Sequence, residues 1–139
     1  MQLDIEQGSE AWHQARLGVC TASKFGDILP GRGNKYKKAR ENYLYELVAE
    51  RLTGKYKTFR ATEEVKHGNE YEHEARETYE FITGNKVTET GLTLLDDNPF
   101  IGASPDGIIE NGGLEIKCFD TKRHISNIIN GMPDELLPQ

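Results

Sequence analysis

The sequence predicts a mixed α/β (α+β) fold, a central mixed sheet flanked by helices, carried by a single domain over residues 1–139. Three observations predict it. Residues 36–52 and 65–82 repeat apolar side chains at helical spacing. Residues 86–103 hold two short strand-like runs, the first marked by Val87, Leu92 and Leu94, the second being Phe100–Ala103. Between two further apolar runs lies Asn111-Gly112, the residue pair that suits a hairpin turn in which both positions take positive φ. A chain of 139 residues, 36% hydrophobic and 29% charged, is long enough to bury a core as one domain.

From the N-terminus, Ser9 caps a short helix over 10–16, which Gly18 closes. Thr21-Ala22-Ser23 opens a second helical stretch that runs to Leu29 and stops at Pro30-Gly31. Between the two, Arg16 stands near two hydroxyls and a helix N-terminus, a grouping that can hold a phosphate; alone, it reads more readily as a structural turn. Gly31–Lys35 is expected to be a basic loop with Lys35 facing phosphate. Tyr36, Ala39, Tyr43, Leu44, Leu47, Val48 and Leu52 then form one apolar stripe up to Gly54.

The next helix, 65–82, buries Tyr71, Ala75, Thr78, Tyr79 and Ile82 and ends at Gly84-Asn85. At about 100° per residue, Glu72 falls at the edge of that stripe and faces partly inward. His67 and His73 read as surface histidines. A last short helix spans 121–129 and ends at Gly131, and 132–139 reads as the beginning of a further element.

Net charge is −6, which argues mildly against a polyanionic partner, yet the sum hides an asymmetry. From Arg32 to Arg60 nine basic residues face three acidic ones, a local net charge of +6, so the remainder carries −12. A basic segment beside an acidic pocket suits a polyanion handled with metal ions. Cys20 and Cys118 lie too far apart for metal-ligand spacing and read as reduced thiols. With no apolar run near the roughly 20 residues that span a bilayer, and no basic-then-apolar N-terminus, the expected location is cytoplasmic with no membrane contact.

The chemistry is concentrated at the hairpin. With Asn111-Gly112 as the loop, Ile109 stands opposite Leu114, Ile108 opposite Glu115 and Asp106 opposite Lys117. Asp106, Glu115 and Lys117 then share one face, while Leu114 and Ile116 point to the core. Two carboxylates and the Ile116 carbonyl suit a hard divalent cation, Mg²⁺ or alternatively Mn²⁺. Lys117 can serve a metal-bound water and offset charge on a phosphate, and Glu72 can complete the acidic set. Singly, Asp106 is a turn residue after proline and Glu115/Lys117 an exposed strand pair. Their joint spacing carries the reading of a phosphodiesterase site.

Glu72, Pro105-Asp106 and Glu115-Ile116-Lys117 resemble the signature of the PD-(D/E)XK nucleases, whose core is restriction-endonuclease-like. Three longer stretches narrow the resemblance: Arg16–Val19 with Thr21–Ser23, Gly68–Glu72 with Ala75-Arg76, and Ser104–Gly107 with Leu114–Cys118. They are similar in order and spacing to the lambda-type phage exonucleases, or YqaJ-like viral recombinases. That resemblance implies a Mg²⁺-dependent 5′ to 3′ exonuclease acting on double-stranded DNA ends for phage-type recombination, in an infected or prophage-carrying bacterium. It implies Asp106, Glu115 and Ile116 as metal ligands, and Glu72, Asp106, Glu115 and Lys117 as the catalytic set. Arg16 and Ser23 would hold the 5′-phosphate, and Ser104 would lie near the scissile phosphate. A trimeric ring and a single-strand annealing partner are implied as well. The family pattern continues beyond the motifs present here, so the chain is expected to be truncated at its C-terminal end. Two alternatives stay open: a repair or restriction endonuclease of the same superfamily, and a non-catalytic DNA-end binding module.

Overall fold

The computed structural model describes residues 1–29, 34–56 and 63–131, with side chains throughout except at 34–37 and 63–65. The fold is mixed α+β, and the described residues of 1–57 and 90–104 form one compact unit, those of 58–89 and 105–134 another.

In the first unit a four-stranded mixed sheet runs in the order β1 (Gln2–Leu3), β3 (Leu92–Leu95), β4 (Asn98–Ala103), β2 (Cys20–Thr21). β3 is antiparallel to β1 and β4, whereas β2 lies parallel to β4. Val19, Leu92 and Leu94 are its buried centre, with Leu3, Ile5, Trp12 and Ala15 packed against them. Leu92 and Leu94 face the core together because side chains two apart on a strand share a face. Glycine is required at Gly102, where a Cβ would stand 2.9 Å from a Leu94 methyl and from the Thr93 carbonyl.

Helix α1 (Glu10–Ala15) begins where expected, the Ser9 hydroxyl accepting from the Trp12 N–H at 3.2 Å. The stretch after Thr21 divides into a 3₁₀ turn (Ala22–Lys24) and the single turn α2 (Phe25–Ile28). Helix α3 (Asn34–Thr53) starts two residues earlier than the periodicity predicts, so Asn34 and Lys35 are helical; Lys35's side chain lies outside those described. The expected apolar stripe of α3 is only partly buried. Tyr43 is buried, its hydroxyl accepting from the Thr21 N–H at 3.1 Å, but Leu44, Val48 and Leu52 are exposed. What else fixes α3 is polar: Glu50 accepts from the Gly18 N–H at 2.8 Å, and Arg51 Nε donates to the Gly18 carbonyl at 3.0 Å while its guanidinium lies over Phe100. Gly18 has a φ of +66°, so it is free of side-chain strain there and leaves Arg51 room to reach it.

The second unit contains α4 (Glu63–Thr83), the hairpin β5 (Gly107–Ile109) and β6 (Gly112–Leu114), and α5 (Thr121–Asn130). The hairpin register differs from the sequence expectation. Ile109 pairs with Gly112, Ile108 with Gly113 and Gly107 with Leu114, so Glu110-Asn111 is the loop and neither residue has positive φ. The cause is tertiary. Ile108 is held on its other side by Thr88 through two backbone hydrogen bonds of 2.8 and 2.9 Å, and Gly107 must be glycine because a Cβ would strike Val87. The displacement amounts to two residues, so the faces keep their parity.

The inward side of α4 is partly as expected: Ala75, Tyr79 and the edge residue Glu72 are partly buried, joined by Arg76 and Glu80, whereas Tyr71 (43% exposed), Thr78 and Ile82 (74% exposed) face outward. Among the described residues the buried hydrophobic side chains, Val19, Tyr43, Leu92 and Leu94, all belong to the first unit. No helix among them is long and apolar enough to cross a membrane.

Candidate active site

Asp106 lies in the link between β4 and β5, and Glu115, Ile116 and Lys117 follow directly on β6. Because Gly107 and Leu114 are the last paired residues, Asp106 and Glu115 come next along their strands. Asp106 is half-buried, and its Oδ2 accepts from the Ile116 N–H at 2.6 Å. That bond fixes the carboxylate on the segment that carries Glu115 and Lys117. Glu115 is paired with the Lys117 ammonium, as side chains two apart on an extended chain permit. Glu72 comes from α4, with Oε1 accepting from Arg76 Nη2 at 2.6 Å.

These groups act on one another. Burial raises the Asp106 carboxyl from its ordinary 3.8 to about 6, helped by the negative charges of Glu115 and Glu72 and opposed by the Ile116 hydrogen bond and by Lys117. The Cys118 thiol is pushed up as well, by burial first and then by Glu72 and Asp106. Glu72, Asp106, Glu115 and Lys117 are therefore electrostatic neighbours within one unit.

The donor set fits a hard divalent cation. It offers three carboxylates and the Ile116 carbonyl, all oxygen, the ligand type such an ion takes. Among the described residues, however, no three His, Cys, Asp or Glu side chains are gathered at metal-binding spacing. Glu72 and Glu115 are turned instead to their own cations, Arg76 and Lys117. Asp106, Glu115 and Ile116 would hold such an ion, and Glu72 would reach it or its waters.

The residues expected to hold phosphate, Arg16, Ser23 and Ser104, lie in the first unit. Arg16 follows α1 directly, its guanidinium 3.9 Å from the Trp12 ring centroid, and burial lowers its pKa while Tyr43 and Glu50 raise it. The Trp12 Nε1–H donates to the Ser104 Oγ at 3.0 Å, so one indole links Arg16 and Ser104. The Ser23 Oγ is 3.4 Å from the Thr21 Oγ1, in the 3₁₀ turn whose preceding strand is bonded to Tyr43. Sequence reasoning missed two residues of this kind. Trp12 was legible only as a helix residue, although its spacing of four from Arg16 puts the two on one helix face. Arg76 was quoted within a motif without a role; its four-residue spacing from Glu72 was the available signal.

Two solved structures resemble the chain closely. The alkaline exonuclease LHK-Exo from Laribacter hongkongensis is 39% identical, with a TM-score of 0.79, over 94% of this chain and 64% of that one. LHK-Exo in complex with dAMP matches at 38% identity and a TM-score of 0.80, with the same coverage. The chain thus spans a little under two thirds of the length of the exonuclease it matches. No curated protein matches it. Residues 11–139 match the family described as YqaJ-like viral recombinase domain, and with nearly the whole chain covered, the protein belongs to that family.

Proposed function

We propose that the chain carries the active site of a Mg²⁺-dependent exodeoxyribonuclease that digests one strand of double-stranded DNA ends, 5′ to 3′, for phage-type recombination. The observation that carries this reading is the grouping of Glu72, Asp106, Glu115 and Lys117, in which Asp106 is tied to the Ile116 N–H at 2.6 Å and raised to about 6 by burial first and then by the charges of Glu115 and Glu72. Family membership and the likeness to an alkaline exonuclease support it. A relative that binds dAMP, a nucleoside monophosphate, supports a product of that class.

In this reading Asp106, Glu115 and the Ile116 carbonyl would hold a divalent ion, whose chemistry when bound would be to lower the pKa of water and offset charge on the phosphodiester. Asp106, tethered through Oδ2 to the Ile116 amide, keeps its carboxylate aligned with Glu115. Lys117 exchanges its contact with Glu115 for one with the attacking water and offsets charge developing on the phosphate. Arg16, Ser23 and Ser104 hold the 5′-phosphate end of the strand, Arg16 by charge and the serines by hydroxyl hydrogen bonds. Lys35 adds positive charge along the DNA. The two units act as one nuclease domain, in a homotrimeric ring in the bacterial cytoplasm with a single-strand annealing protein as partner.

Digestion of end-labelled linear duplex, with and without a 5′-phosphate, in Mg²⁺ and in chelator, tests this. Mg²⁺-dependent release of mononucleotides, faster on phosphorylated ends, is expected. Cutting of closed circular DNA would select the endonuclease instead. A second reading, DNA-end binding without turnover, is favoured by the engagement of Glu72 with Arg76 and of Glu115 with Lys117, which occupies two of the proposed catalytic carboxylates. Salt-sensitive binding with no product in Mg²⁺ would select that one.

A further inference from the structure

Arg76 is the most enclosed charged group around the proposed site. Its side chain is only 11% exposed, and it joins two carboxylates: Nη2 donates to Glu72 Oε1 at 2.6 Å and Nη1 to Glu89 Oε1. Its Nε is buried and has no partner among the described residues. A buried cation with an unsatisfied donor is a poor device for stability, since the hydration lost by that N–H is not replaced. The planar fork does, however, do one thing well. It fixes the direction of Glu72, taking Oε1 and leaving Oε2 without a hydrogen bond among the described residues. Glu89, itself 73% exposed, takes the other terminal nitrogen, so the guanidinium is held between two carboxylates.

We propose that Arg76 is a positioning residue for the nuclease site: clamped by Glu89, it orients Glu72 so that one carboxylate oxygen is presented to the cation held beside Asp106. This rests on the nuclease reading above and deepens it. Lysine cannot replace arginine in this role, because a point charge on a flexible stem cannot bridge two carboxylates in a fixed plane. Outer partners of metal ligands affect metal affinity or activity by about 10–100-fold when changed, and Arg76 belongs in that range.

The test uses the full chain and four proteins: parent, Arg76→Lys, Glu72→Gln and the double variant. Mn²⁺ binding is measured by calorimetry and digestion of 5′-phosphorylated linear duplex by its Mg²⁺ dependence. Arg76→Lys should weaken Mn²⁺ binding about tenfold and raise the Mg²⁺ concentration for half-maximal rate, with KM for DNA unchanged. In the Glu72→Gln background the same change should cost nothing further, because Arg76 acts through Glu72. Equal losses in both backgrounds, or none in either, overturn the proposal. If Arg76→Lys fails to fold, Glu89→Ala carries the test, with a smaller loss of Mn²⁺ affinity expected and no change refuting it. A parent that neither binds Mn²⁺ nor digests DNA refutes the nuclease reading itself, and this inference with it. A parent that does both beside an unaltered Arg76→Lys refutes Arg76 alone.

Discussion

Replacing Asp106 with asparagine should stabilise the metal-free protein while removing its activity. The folded-state pKa of Asp106, about 6, lies above its ordinary 3.8, so the folded state binds the proton more tightly than the unfolded one. The stability this proton confers is complete below about pH 4 and is lost as pH rises through about 6. Two pKa units correspond to about 3 kcal/mol. Because Asp106 is only half-buried, solvent screening reduces this to about 1 kcal/mol. Asparagine keeps an oxygen able to accept from the Ile116 N–H, so the tether survives while the charge is gone. Urea denaturation in chelator, from pH 4 to pH 8, reads the difference. The Asp106→Asn protein should be more stable than the parent by about 1 kcal/mol at pH 8, with the two converging near pH 4. A variant less stable at pH 8, or offset equally at every pH, would refute the account of a carboxylate raised by burial and, after it, by neighbouring negative charge.

Other consequences are as direct. Mn²⁺ at about 100 times its Kd should stabilise the parent by about 2.7 kcal/mol and leave Asp106→Asn unmoved in thermal melts. Mn²⁺ affinity should fall as pH drops below about 6, because the proton and the cation compete for Asp106; calorimetry at pH 5 and pH 8 checks this, and a pH-independent affinity would exclude Asp106 as a ligand. Trp12→Phe keeps an aromatic ring beneath Arg16 but removes the N–H to Ser104. It should cost about 1 kcal/mol and reduce the preference for 5′-phosphorylated ends. Gly107→Ala should cost about 1–3 kcal/mol in urea denaturation, since its methyl group meets Val87 and displaces β5 from Thr88.

Parts of this molecule were plain in the sequence and parts were not, for identifiable reasons. The Ser9 cap and the spans of α4 and α5 follow from local signals, and so does the burial of Leu92 and Leu94 on one strand face. Strands of two residues, β1 and β2, leave no period to read. The hairpin register was misjudged because Asn111-Gly112 is a local preference, whereas the pairing is held by Thr88 on Ile108 and by the close approach of Gly107 to Val87. The shared face of Asp106, Glu115 and Lys117 needed only the parity of that register, and a slip of two residues preserves it. On α4 the pattern placed Ala75, Tyr79 and Glu72 inward, where they lie, but also Tyr71 and Ile82, which are exposed, and it gave no sign of the enclosed Arg76.

The central claim is that Lys117, Asp106, Glu115 and Glu72 form a metal-dependent phosphodiesterase site, and the most direct measurement compares the parent with Lys117→Ala on 5′-phosphorylated, end-labelled linear duplex in Mg²⁺. Lys117 is exposed and its partner Glu115 is exposed, so its loss should leave folding intact. The account predicts mononucleotide release by the parent, abolished in chelator and reduced by at least about 100-fold in Lys117→Ala. Equal rates for the two proteins would contradict it.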